Sequence, residues 1–421
     1  MKYYTSKILW LLILVLMFSN CEKEENEQDD ISEINLTGEY VYLIMKDFYL
    51  WNEYLPSNPY INKSPYDLLE DLRYSSVDKW SFIISTEEYK AIFEEGEYKG
   101  YGFSYTVDDS NKIRITYVFK DSPLKEYNID RSWIITHIDG TELTSDTDIG
   151  TLLNASDSHS FTFKDTNGNE LTQTFTKKTV TINTVLFDTI FNVNDLKIGY
   201  FVFESFIEPS KDELNSLFAK YQTAGIDELI VDLRYNGGGR SDIGLQLGGL
   251  IGGSKVEDKI MTKFIYNDNL QDENQDLMFK SNENSIDIER VFFITTRGSA
   301  SASEMVINGL SPFMDVYLVG DDTHGKPVGM NVWPFKDLTF APVTFRITNT
   351  NDEGDYFEGI PADSYVDDDV YHKFGDTTEL CLKEVLHYIN EGSFTVKSSV
   401  KSMGKKELKP KYGIRQFFDA Y

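Results

Sequence analysis

The period of the apolar positions divides the chain. Near the start, Val41, Ile44, Phe48, Trp51 and Leu55 recur at helical spacing. Ser64-Pro65 then supplies a hydroxyl cap and a proline at the first helical position. Leu68, Leu69 and Leu72 share one face of the helix so opened, and a helical region is expected to about Lys99. From Gly100-Tyr101-Gly102-Phe103 the pattern turns β-rich, with Asp121-Ser122-Pro123-Leu124 as a turn and Ile134 to Ile138 as a strand before Asp139-Gly140. A third regime begins near Thr181. Ile198 to Phe203 is strand-like, Pro209 to Tyr221 helix-like, and Glu228 to Leu233 reads as a buried strand. Val291 to Ile294 reads the same way, a helix-like stretch runs from Met305 to about Phe313, and Val316 to Val319 is another strand. Strand, helix and strand in that order predict parallel strands and an α/β core.

The junction inside that unit carries the candidate chemistry. Residues 297–304 read Arg-Gly-Ser-Ala-Ser-Ala-Ser-Glu. Ser301 and Glu304 have the spacing of a capping box. A hydroxyl at a helix start sits in a positive field, which suits a nucleophile whose reaction builds negative charge. Serine needs a base to take its proton, and a desolvated lysine with a lowered pKa can serve. Lys326, after Gly325, follows Ser301 by 25 residues, just beyond the Val316 to Val319 strand. Both residues would then follow the carboxyl ends of neighbouring parallel strands, the edge where open α/β sheets build their sites. The strand ending at Leu233 runs into Arg234-Tyr235-Asn236-Gly237-Gly238-Gly239. Glycines there let backbone N–H groups approach a ligand, so Gly238 and Ala302 are the candidate oxyanion donors.

Other readings stand beside this one. Alternating Ser and Ala are ordinary at a tight helix start. A glycine-rich loop after a strand also suits phosphate, although neither G-x-G-x-x-G nor a Walker pattern is present. The five histidines show no metal-ligand spacing, so no metal or cofactor is expected. His324, beside the site in sequence, offers a Ser-His alternative.

Composition narrows the partners. The 421 residues carry a formal charge of −29, which argues against nucleic acid as a partner. Hydrophobic content of 41% and aromatic content of 14% support real cores in two or three domains. At the start, Lys2 and Lys7 precede an apolar stretch from Ile8 to Phe18 that is short for a spanning helix, as in an export signal. Phe18-Ser19-Asn20-Cys21 resembles a bacterial lipobox, making Cys21 the expected lipidation site; a simple secretory signal with an incidental cysteine is the alternative. With Cys21 lipidated, only Cys381 keeps a thiol and no internal disulfide forms. Glu22 to Asp30 reads as an acidic tether, and the tail from residue 396 is basic.

Taken together, Gly298 to Glu304, Gly325-Lys326 and Asp232 to Gly239 resemble the carboxyl-terminal processing (tail-specific) proteases of peptidase family S41. Glu358 to Asp363 resembles a late segment of their core, and the resemblance spans roughly residues 36–395. It implies an α/β protease core of the ClpP/crotonase type at 181–395, with a β-rich PDZ-like domain at 100–180 and an N-terminal helical domain at 36–99. Before them come a lipoprotein signal peptide at 1–20 and an acidic tether at 21–35; the basic tail is 396–421. The implied nucleophile is Ser301 and the implied base Lys326, with Gly238 and Ala302 as oxyanion donors. Tyr101, Gly102 and Phe103 map to a loop that holds a peptide's terminal carboxylate. Two departures stand out. Many members carry glutamine four residues after the lysine, to orient it, where this chain has Met330. Arg131-Ser132-Trp133 replaces the usual Gly-Asp turn of the PDZ-like domain. The resulting expectation is a Ser/Lys endopeptidase, lipid-anchored in the cell envelope (outer membrane, facing periplasm or surface), acting on protein or peptide C-terminal segments. The alternative is a non-catalytic peptide-binding lipoprotein on the same scaffold.

Overall fold

The computed structural model describes residues 27–395, with side chains from residue 36 onward. Cys21, the export signal and the basic tail lie outside the described residues. Helix α1 (Glu27–Phe48) and helix α2 (Pro65–Leu72) pack on each other and bury Val41, Ile44, Leu68, Leu69 and Leu72. Ser64 caps α2 by accepting from the Asp67 N–H at 3.1 Å, as its position before Pro65 predicts. The helical spacing from Val41 to Leu55 outlasts the helix itself, which stops at Phe48. The reason is a side-chain clamp. Asn267 Nδ2 donates to the Asp47 and Tyr49 carbonyls at 3.2 and 2.8 Å, and the Tyr49 hydroxyl donates to Asp78. These bonds satisfy carbonyls that a helix end leaves unpaired. Strand β1 (Phe82–Ser85) then leaves the helical region.

The middle segment is a sheet with a short helix against it. Its strands are β2 (Phe103–Val107), β3 (Ile113–Val118), β4 (Ile134–Ile138), β5 (Ser158–Lys164) and β6 (Glu170–Thr176), hydrogen-bonded in that order. Helix α3 (Ile149–Asn154) sends Ile149 and Leu153 into the same core as Tyr101, Phe103 and Phe161. Strand β2 lies at the sheet's edge, with β3 as its neighbour.

The third segment is a three-layer α/β unit. Strands β7 (Val185–Val193) and β8 (Leu196–Phe203) form a hairpin, and β9 (Glu228–Asp232) lies parallel to β8. Past β10 (Ile260–Tyr266), which belongs to a separate antiparallel sheet, β11 (Arg290–Thr295) pairs parallel with β9 and β12 (Asp315–Gly320) pairs parallel with β11. The parallel pairing of the last two is what the strand-helix-strand pattern predicts. Helices α4 (Ser210–Ala224), α5 (Ser241–Gly252) and α6 (Ala302–Leu310) cover one face over a core that includes Phe201, Phe218, Leu247 and Phe293. Helix α7 (Leu380–Glu391) covers the other face, packing Leu382 and Val385 on Tyr200, Ile230 and Phe292. Each such fully buried side chain contributes about 1.5–3 kcal/mol.

Beyond Lys326 the chain forms β13 (Val328–Met330), β14 (Leu338–Ala341) and β15 (Val343–Thr348). Strand β13 pairs with β15, which pairs with β10. Strand β14 pairs with β1 of the N-terminal segment. Val328, Phe340 and Val343 therefore share one core with Val41, Met45, Tyr49 and Trp80. No helix among the described residues is long and apolar enough to cross a membrane.

Candidate active site

Three loops meet at the carboxyl ends of β9, β11 and β12. The loop after β11 brings Ser301 to the start of α6 with φ 56° and ψ −110°. A non-glycine residue at positive φ costs about 1–3 kcal/mol and persists only where its surroundings hold it. The flanking serines do that holding. Ser299 Oγ donates to the Leu233 carbonyl at 2.8 Å, and Ser303 Oγ donates to the Asn236 carbonyl at 3.1 Å. Both are fully buried, whereas Ser301 is half-exposed. Of the three alternating serines, Ser301 is the one presented to a pocket.

That pocket, a cavity of about 280 Å³, also contains Lys326. The lysine is buried, and burial lowers its pKa to about 8, against the opposing pull of Asp78 and then Glu304. An amine with that pKa is substantially neutral near pH 8 and able to accept a proton. The acids beside Lys326 in sequence are engaged elsewhere. Asp322 accepts from Arg297 at 2.9 Å and from the Tyr365 hydroxyl at 2.6 Å.

Glu304 ties the two halves together. Its Oε2 accepts from the Ser301 N–H at 2.8 Å and from the Lys326 N–H at 2.9 Å. Its Oε1 accepts from the Thr323 hydroxyl and the Gly325 N–H, both at 2.6 Å. Burial pushes its carboxyl pKa up, and the four donors work against that rise. Capping-box spacing pointed to the bond with Ser301; the reach to the lysine loop has no signal in local sequence. His324 accepts from Trp80 Nε1 at 3.2 Å and sits 3.2 Å by Nδ1 from the Arg297 carbonyl. Both ring nitrogens thus face neighbours other than Ser301, which weighs against the Ser-His alternative.

The glycine-rich loop packs on the nucleophile. A Cβ on Gly238 would lie 2.8 Å from Ser301 Cβ and 2.8 Å from the Ala300 carbonyl oxygen. The Gly238 N–H, however, donates to Asn236 Oδ1 at 2.9 Å. The asparagine two residues earlier thus engages that N–H, which weighs against the expected oxyanion role, and Gly238 supplies shape. Phe206 N–H donates to the Gly238 carbonyl and Arg240 N–H to the Phe206 carbonyl, so the Gly239 N–H faces away from Phe206. Ala302 opens α6, where N–H groups lack intrahelical acceptors. One side of the pocket is apolar, with Phe264, Met305, Met330, Phe345 and Ile347, while Arg240, Ser241, Asp242 and Asn331 also line it.

The other expected site lies in the middle segment. Gly102 has φ +74°, and a Cβ there would meet Ser122 Cβ at 2.7 Å. Tyr101 and Phe103 are buried in the sheet's core. The Tyr101 carbonyl accepts from Ser122 Oγ at 2.7 Å, the Gly102 carbonyl from the Phe119 N–H at 2.8 Å, and the Gly102 N–H meets the Tyr98 hydroxyl.

With this geometry in view, the comparisons with known proteins are informative. The family model described as "Peptidase family S41" matches residues 197–366, and that described as "Peptidase S41 N-terminal domain" matches residues 37–82. The chain belongs to peptidase family S41. It is 23% identical over 274 residues to a protein of Staphylococcus haemolyticus named "Probable CtpA-like serine protease", covering 63% of this chain and 52% of that one. A protein of the same name from Staphylococcus epidermidis is 24% identical over 331 residues, covering 76% of this chain and 62% of that one. The chain thus spans between half and two thirds of the length of these curated relatives. A crystal structure of an S41 protease from Bacteroides fragilis superposes with a TM-score of 0.68 at 23% identity, covering 89% of this chain and 100% of that one. That likeness speaks to the fold.

Proposed function

We propose that this S41 family member is a serine endopeptidase of the Ser/Lys dyad type. The observation that carries the reading is the shared pocket. Ser301 stands at positive φ on a helix start, facing a cavity that also holds a buried lysine with its pKa lowered to about 8. Neutral Lys326 takes the Ser301 proton as Oγ attacks a peptide carbonyl. The N–H groups of Ala302 and Gly239 hold the resulting oxyanion. The ammonium of Lys326 returns its proton to the leaving amine, and water then releases the acyl group from Ser301. The apolar wall fits an apolar side chain just before the scissile bond. Purified wild type should cleave casein, and Ser301→Ala should lose at least about 10³-fold in rate. Equal cleavage by both proteins would refute the reading.

The substrate's C-terminal segment is captured by the middle segment acting as a PDZ-like domain. Its support is the edge position of β2 beside Tyr101-Gly102-Phe103, where a peptide can add as a further strand. A free C-terminal peptide should bind more tightly than its amidated form; equal affinity would remove the carboxylate from the account. Lipid anchoring at Cys21 in the cell envelope, outer membrane included, rests on the sequence alone. Metabolic labelling with a fatty-acid probe, lost in Cys21→Ala, tests it.

A further inference from the structure

Lys326 lacks the glutamine that many relatives carry four residues downstream, and the N-terminal segment supplies a substitute. Met330 stands at that position and packs into the core shared by α1, α2, Trp80 and Val343. The strand that follows the lysine is therefore held by apolar contact with the N-terminal segment. Directly beneath it lies a polar knot. Asp78 is buried and accepts from the Tyr49 hydroxyl at 2.8 Å, the Ser81 hydroxyl at 2.5 Å, and the N–H groups of Trp80 and Ser81 at 2.9 and 3.0 Å. Ser81 Oγ in turn accepts from the Val343 N–H at 2.9 Å. Trp80 Nε1 donates to His324, two residues before the lysine. The knot thus grips the lysine segment on both sides, at His324 and at the strand partner of Met330.

We propose that Asp78 and Trp80, from the N-terminal segment, are positioning residues for Lys326, acting through His324 on one side of it and the Val343 strand on the other. Two buried carboxylates act on the lysine through space, Asp78 and then Glu304. Each carboxylate is held by four donors, Glu304 by the Ser301, Gly325 and Lys326 N–H groups and the Thr323 hydroxyl, and Asp78 by Tyr49, Trp80 and Ser81. Burial lowers the Lys326 pKa, and the buried Asp78 of the knot opposes that fall.

This inference rests on the peptidase reading, and its test separates the two. Competitive acetylation of the full chain, read by peptide mass spectrometry, titrates the Lys326 amine without any substrate. Wild type should show a midpoint near 8, and Asp78→Asn should shift it downward while thermal melting shows a folded protein. Trp80→Phe keeps the ring's packing and loses the bond to His324; casein cleavage should fall about tenfold in kcat with KM unchanged. An unmoved Lys326 midpoint in folded Asp78→Asn overturns the role given to Asp78. If Asp78→Asn does not fold, wild-type kcat in Trp80→Phe overturns the positioning role. A shifted midpoint in a protein that cleaves nothing supports the positioning role and refutes the peptidase reading instead.

Discussion

Two buried charge clusters are built in opposite ways. Around Glu304, one carboxylate is met by three backbone N–H groups and one hydroxyl. Around Arg234, charges answer charges. Arg234 donates to Asp232 at 2.9 Å and to Asp368 and Glu379 at 2.8 Å. Arg131 reaches in from the middle segment to the Tyr235 hydroxyl at 2.6 Å and to Asp368 at 3.2 Å. The first arrangement fixes loops relative to each other and leaves an uncompensated carboxylate, whose pKa burial raises. The second joins the middle segment to the α/β unit. Burial would raise the Asp368 pKa too, but the two guanidinium groups outweigh it and hold the carboxyl at about 2. The difference separates positioning from fastening. Neutral donors give directional bonds that place Ser301 and Lys326, whereas the ion network joins elements over 130 residues apart in sequence.

The contrast predicts distinct failures. The largest is Arg234→Met, which leaves Asp232 and Glu379 buried without their cation. It should cost about 3–5 kcal/mol in urea denaturation. Next is Glu304→Gln, where the amide presents donors to donors. It should lose about 1–3 kcal/mol in the same assay but at least about 10²-fold in kcat, an activity loss beyond any stability loss. If activity fell only in step with stability, Glu304 would be another fastener. Gly238→Ala follows, with φ +103° and a Cβ pressed on Ser301. About 1–3 kcal/mol of strain should appear, together with slowed acylation in single-turnover kinetics.

The gentlest test varies pH. Asp368 has a depressed pKa, so its stabilisation is full above the ordinary 3.8 and is lost as pH falls toward about 2. Lys326 is depressed from 10.5 to about 8, so the unfolded chain binds the extra proton between those values. Its contribution therefore rises with pH from about 8 to 10.5 and is a penalty below. Urea midpoints of wild type and Lys326→Met across pH 7–10 should converge as pH rises. A constant gap would contradict a buried, depressed amine.

Much of this was legible in sequence, for local reasons. The apolar runs at 228–233, 291–294 and 316–319 are buried on both faces, and their order with α6 gave parallel pairing. Ser301 was singled out among three serines by its spacing to Lys326 together with the resemblance to S41 proteases, and the two residues line one pocket. What stayed hidden depends on which side chains meet from afar. Asp78 lies 248 positions before Lys326, and helical periodicity says only that α1 and α2 have an apolar face, not that it covers Met330 and Val343. The bond from the Gly238 N–H to Asn236 stayed hidden because Asn236 looks like an ordinary turn residue, and only its rotamer shows the contact. Arg131 appeared as a departure from a turn pattern; its bonds to Tyr235 and Asp368 of the α/β unit required the fold.

The central claim is that Ser301 is the nucleophile and Lys326 its base. Its most direct measurement is phosphonylation of the full chain by a fluorophosphonate probe, mapped by mass spectrometry across pH 6–10. The account predicts one adduct, on Ser301, forming at a rate that rises with pH through a midpoint near 8 and disappears in Lys326→Ala. An adduct on Ser299 or Ser303, or a Ser301 rate unchanged in Lys326→Ala, would contradict it.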